Sequence, residues 1–225
     1  MPARKINFIN GQIYHVFNKT IESKKIFDDN YLCREFLETI LYYRSSKVRS
    51  RFSQYKILSA EIQNLILKEI LNPIYFKVEI LSYCLMPTHF HFLLKQLSEN
   101  GISKFIGNTL NSFTRYFNIK FERKGPIFLP RFKAVLIKSE EQLKHVSRYI
   151  HLNPYSDGLV KDINKLENYP WSSFKEYLSN NTRKLSSPDF ILGLFNNDKS
   201  RYKRFVFDNA DYQRSLEHIK HMERW

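Results

Sequence analysis

The sequence predicts an α+β sandwich built on a mostly antiparallel sheet, and three observations carry that prediction. Apolar periodicity switches between about 2 and about 3.6 along the chain, in the order strand, helix, strand, strand, helix, strand, helix. The tripeptide Met86-Pro87-Thr88 lies between two apolar runs and reads as a hairpin turn, since proline cannot serve a central ladder. Finally, 225 residues, 43% of them hydrophobic, suffice for one sizeable core with a smaller terminal appendage.

The first strand lies in GQIYHVFNKT (11–20), with Tyr14, Val16 and Asn18 on one face and His15 and Phe17 on the other. A helix follows from Asn30 to Tyr43, where Phe36, Leu37, Ile40 and Leu41 make an apolar face. The basic, polar stretch KVRSRFSQYK (47–56) reads as a surface loop able to touch DNA. The helix-periodic ILSAEIQNLILKEIL comes next and ends near Asn72-Pro73. A strand over residues 75–84 and its neighbour HFHFLLKQL (89–97) form the hairpin. GISKFIGNTLNSFTRYFNIKF (101–121) is a helix with Ile102, Phe105, Ile106, Leu110 and Phe113 on one face. After Gly125-Pro126 the spacing predicts a strand over 128–137. SEEQLKHVSRYIHL is a helix with Ser139 as N-cap and Gln142 three residues on, ending by Asn153-Pro154. Beyond Trp171, short helices are expected over 172–178 and 212–222. The chain thus divides into 1–178, carrying an insertion near 44–72, and a mostly helical C-terminal extension, 179–225.

Lys and Arg total 36 against 22 acidic residues, a net charge of +14, with 14 tyrosines and 19 phenylalanines interspersed. That mixture suits a phosphate backbone whose unpaired bases stack on rings. The cations are spread along the chain and form no single amphipathic anchor, so nucleic acid is favoured over a membrane surface. No apolar run of membrane-spanning length occurs, and residues 1–10 do not resemble a signal peptide. Cys33 and Cys84 stand far apart in apolar contexts, which argues for a reducing, cytoplasmic setting and against a zinc knuckle or disulfide framework.

Chemistry concentrates in CLMPTHFHFLL (84–94). Strand periodicity puts His89 and His91 on one face, about 6–7 Å apart, while Phe90, Phe92 and Leu94 supply the core. Such a pair can grip one divalent ion, or can be two hydrogen-bonded histidines on a half-exposed strand. Four residues apart on the later helix, Tyr149 and Asn153 share a face. Asn153 offers a carboxamide oxygen that could complete a metal site, although asparagine before proline is also an ordinary helix stop. Tyr149 offers a hydroxyl that is a poor nucleophile unless its electrophile is polarised, or it packs as a helix tyrosine. Tyr116 is set aside as nucleophile because its neighbours Arg115, Lys120, Arg123 and Lys124 look like phosphate-positioning groups, not metal ligands. Arg131 and Lys133, alternating with Phe132, suit backbone contact as well. His15 is a possible accessory on the first strand. His151, two residues from Tyr149, points away and is not assigned.

The motif CLMPTHFHFLL resembles the His-hydrophobe-His signature of single-tyrosine, HUH-type, IS200-like transposases, in particular the REP-associated tyrosine transposases. IYHVFNK, FTRYFNIKFERKGPIFLPRFKAVLI, RYIHLNP and YPWSSFKEYL follow the family's order across about three quarters of the chain. The resemblance implies a ferredoxin-like sheet with helices packed on it and cleavage of single-stranded or hairpin DNA through a 5′-phosphotyrosine. It also implies a divalent Mg or Mn ion and no nucleotide cofactor. It makes Tyr149 the nucleophile and His89, His91 and Asn153 the metal ligands, in a monomer or a homodimer. Thr88 stands where the family commonly has asparagine, and NPYSDG (153–158) lacks the family's arginine beside the site. The insertion around 47–56 is absent from shorter relatives and bears on target choice. Two competing functions are a domesticated DNA-binding protein that has lost catalysis and a metal-dependent RNA endonuclease without a covalent step. Loss of a histidine or of Tyr149 would mark the first, and none is lost.

Overall fold

Ile13–Lys19, Val78–Met86 and His89–Gln96 form strands β1, β2 and β3, β1 alternating in burial and β2 buried almost throughout, and Lys133–Leu136 adds β4. The computed structural model describes residues 7–180 and 185–222, without the side chains of 217–222. The strand order is β2-β3-β1-β4 with every neighbouring pair antiparallel. With helices α1 (Asn30–Tyr43) and α4 (Gly101–Lys120) as crossovers, the chain is a ferredoxin-like βαββαβ unit. The insertion contributes α2 (Phe52–Lys56) and α3 (Ala60–Ile70) between α1 and β2. After β4 come α5 (Glu140–Ser156), α6 (Phe174–Leu178), α7 (Asp189–Gly193), α8 (Lys199–Phe207) and α9 (Ala210–Met222).

The sheet separates two cores. On one face, Tyr14, Val16, Phe90, Phe92 and Leu94 pack under α1 and α4. Phe36 lies there between Phe90 and Phe113, with ring centroids 5.5 and 5.0 Å away. Burying a phenylalanine so completely stabilises the fold by about 2–3 kcal/mol. On the other face Cys84, Met86 and Leu93 meet Ile150 of α5. The C-terminal helices close this second layer. His151 of α5 bonds Tyr202 Oη of α8 at 2.8 Å and Ser173 Oγ at 2.7 Å, and Tyr155 donates to Asp211 of α9 at 2.8 Å.

Several boundaries differ from the sequence expectation. Residues 47–56 are not all loop: Phe52 and Tyr55, three apart, turn inward against Tyr42 and make α2. Met86 stays in β2 opposite His89, so the hairpin turn is only Pro87-Thr88. The strand expected over 128–137 shortens to β4, Pro130 lacking a ladder donor within the missing part. Phe128 makes an isolated bridge to Thr20, and Arg131 and Phe132 precede the strand. Helix α5 continues through Pro154 to Ser156, and α7 and α8 were not expected.

Candidate active site

The expected faces of β1 and β3 are present, and they bring three histidines together. Residues facing each other across antiparallel strands share a face, and Phe17 pairs with both His91 and Lys133 while His15 pairs with Leu93. His91 is buried, and its ring lies 5.1 Å from those of His89 and His15. His15 Nε2 and His91 Nδ1 are 2.9 Å apart, a hydrogen bond that fixes one nitrogen of each ring. Thr88 Oγ1 stands 3.0 Å from His89 Nδ1, and the Thr88 carbonyl accepts from the Thr20 backbone at 2.8 Å. The residue that departs from the common family pattern thus orients the first histidine.

Helix α5 lays Tyr149 over this pair. Its ring stands edge-on to His91 at 5.5 Å and to His15 at 6.0 Å. Gln213 of α9 donates to the Tyr149 carbonyl at 3.2 Å, so the extension braces the same turn of helix. One turn on, Asn153 is buried and its Nδ2 has no partner. Side-chain amide oxygen and nitrogen can be exchanged without altering the shape, so the unpartnered buried atom of Asn153 can equally be its carboxamide oxygen.

Burial, together with the neighbouring His15, His89 and Lys19, holds His91 neutral well below the usual histidine range. Burial pushes His15 down to about 4. Neutral imidazoles are what metal ligation requires. Among the described residues no group of three His, Cys, Asp or Glu side chains could hold a metal. A metal here would therefore rest on His89, His91 and an amide oxygen, and the unpartnered Asn153 terminus fits that donor set.

The basic residues named from sequence divide between the two faces. Lys133 lies on the histidine face, in the row of Phe17 and His91, with Arg131 two residues before it. Lys19, paired with His89, extends the same face and was overlooked, although period two from His15 through Phe17 points to it. Arg115 and Lys120 sit on α4, across the sheet. Arg123 is tied into its own loop, its guanidinium donating to Asn118 Oδ1 and Pro126 O, and Lys124 is exposed beside it. Tyr116 also lies on α4, away from the histidines, and burial and the adjacent Tyr31 push its phenol up.

His151 is absent from this site, as expected, and instead clasps α5 to the extension. Burial holds it neutral down to about 3, against an ordinary value of 6.5. Unfolding releases an imidazole that takes up a proton first, so this contribution is full above pH 6.5 and is lost as pH falls toward 3. Stability should decline by about 1.4 kcal/mol per pH unit for each such proton. Urea denaturation from pH 7 to 4 should show that decline, with a smaller slope in His151→Gln. Equal slopes in the two proteins would contradict it.

The family model described as "Transposase IS200 like" matches residues 9–153. A solved structure described as a REP-associated tyrosine transposase bound to a REP hairpin aligns with a TM-score of 0.55 at 18% identity, covering 80% of this chain and 87% of that one. A putative transposase from Deinococcus radiodurans R1 aligns at 17% identity with a TM-score of 0.34, covering 67% and 95% of the two chains. No curated protein matches significantly.

Proposed function

Because the chain belongs to the IS200-like transposase family, we propose that it is a DNA nicking and joining enzyme acting on single-stranded, hairpin-bearing DNA through Tyr149. The observation that carries this reading is the approach of the Tyr149 ring to within 5.5 Å of His91, on the face that also bears His89 and Lys133. The Tyr149 Oη attacks the scissile phosphorus. A phosphorus–oxygen bond to tyrosine forms as the bond to the 3′-oxygen breaks. The phenol gives up one proton and the departing 3′-oxygen takes one up. The products are a 5′-phosphotyrosine and a free 3′-OH, and attack by another strand's 3′-OH reverses the step. One ester replaces another, so no nucleotide cofactor is consumed.

A divalent Mg or Mn ion held by His89, His91 and Asn153 would neutralise the non-bridging oxygens and polarise the phosphorus. Lys133, Lys19 and Arg131 supply positive charge to the flanking backbone. His15 acts through His91: with His91 Nδ1 engaged at 2.9 Å, Nε2 is the nitrogen left for the ion. His15→Ala should weaken Mn²⁺ binding by roughly 10–100-fold, as removal of such an orienting partner does. A titration of free Mn²⁺ by electron paramagnetic resonance reads this without any turnover, and an unchanged affinity would remove His15 from the role.

The covalent step is tested by incubating the protein with labelled hairpin-bearing single-stranded DNA and Mg²⁺ or Mn²⁺. The expected result is a denaturant-resistant adduct whose DNA-linked peptide contains Tyr149. Cleavage of the strand with no protein-linked product would sink the proposal.

A further inference from the structure

On the sheet face opposite Tyr149, a cleft of about 1310 Å³ opens between α4 on one side and the insertion with α1 on the other. Arg49 and Arg51 come from the insertion, Arg115 and Lys120 from α4, and Tyr31 and Tyr116 stand between them. Its one acidic liner, Glu35, is neutralised by Lys56, whose Nζ lies 3.0 Å away. Arg49 reaches Glu69 only at 4.0 Å with most of its side chain exposed, a contact worth little. No ion pair engages Arg51, Arg115 or Lys120 among the described residues. The cleft therefore carries an excess of uncompensated positive charge.

The aromatic residues narrow the ligand. Tyr31 is half exposed, and Lys120 Nζ sits 3.7 Å from its ring centroid, a cation over a ring at the mouth of the cleft. Tyr116 lies 6.4 Å from Tyr31, centroid to centroid. Lys120 covers one face of Tyr31, and the exposed remainder of that ring beside the cations suits a strand whose bases are unstacked, because paired bases keep their faces to themselves. An acidic peptide would use the charge but leave the ring faces without a matching partner.

We infer that this cleft is a second DNA-binding site, holding unpaired nucleotides of the same substrate on the far side of the sheet from Tyr149, and that the insertion exists to wall it. The inference rests on the nicking and joining reading above. It assigns the phosphates to Arg49, Arg51, Arg115 and Lys120 and a base to Tyr31, with Tyr116 supporting that ring from below.

The test measures binding of fluorescent (dT)20 across a salt series by anisotropy, for the wild type and two variants of the full chain. Arg49→Gln/Arg51→Gln removes two charges from exposed loop residues, and Tyr31→Ser removes an exposed ring, so neither should impair folding. Thermal melts verify that. The double variant should bind about tenfold more weakly at moderate salt. Its plot of log affinity against log salt should be shallower by about 1.4, since each phosphate contact on a single strand contributes about 0.7. Tyr31→Ser should weaken binding severalfold with the slope unchanged, because stacking releases no counterion. Affinity and slope equal to wild type in both folded variants would overturn the proposal, as would a loss matched by polyglutamate competing better than (dT)20. Adduct formation by wild-type protein, run in parallel, keeps the two readings apart. Failure there overturns the nuclease assignment, whereas failure of the salt slope to change overturns the cleft.

Discussion

Tyr149→Phe should abolish the covalent protein–DNA adduct, a fall of at least roughly a thousandfold, while affinity for hairpin-bearing single-stranded DNA stays within about threefold. The substitution deletes one oxygen and keeps the ring that stands edge-on to His91 and His15. The contacts that seat α5 are elsewhere, in Ile150, His151 and Tyr155, so the helix should remain docked. Loss of chemistry without loss of binding is the signature of a group that acts in the transition state, and absence of the covalent adduct itself singles out the nucleophile. Adduct formation by Tyr149→Phe together with its loss in Tyr116→Phe would transfer the role to the other face of the sheet. Gel mobility after denaturation reads the first quantity and anisotropy the second.

His89→Ala should lower cleavage by roughly two orders of magnitude or more and leave binding nearly intact, because the proposed metal would act on the phosphate at the moment of displacement. His89 is the better of the two histidines to remove. It is half-buried and touches Thr88 in the turn, whereas His91 is buried and hydrogen-bonded to His15, so its loss would also strain the layer beneath α5. Raising Mn²⁺ should restore part of the rate, which a purely structural defect would not allow. Equal losses in binding and cleavage, insensitive to metal, would count against ligation.

Much of the fold could be read from the sequence because its sheet is amphipathic in two different ways. Period two separated Tyr14, Val16, Phe90 and Phe92 from His15, Phe17, His89 and His91, and the structure buries the first set under α1 and α4. The helix boundaries at Asn30 and Tyr43 likewise followed from apolar spacing. What could not be read depended on contacts between distant segments. Nothing in local spacing joins RYIHLN to HFH, and it was the order of motifs shared with a family that paired them. The charges of KVRSRFSQYK concealed Phe52 and Tyr55, whose burial makes α2 and so the cleft wall. Helix α8 was missed because KSRYKRFVF is polar on average, and Tyr202 gains its meaning only from His151 across the chain. The part Thr88 plays was hidden as well, since its bond to His89 cannot be seen until the hairpin closes.

The clasp between His151 and Tyr202 has a consequence for how the reaction responds to dilution. His15, His91 and Tyr149 all come from one polypeptide, and the turn bearing Tyr149 is fastened by Tyr202, Asp211 and Gln213 of that same polypeptide. Under the proposed function, the adduct formed per molecule should therefore stay constant on dilution, and a yield that rises with protein concentration would show that a second copy contributes to the centre.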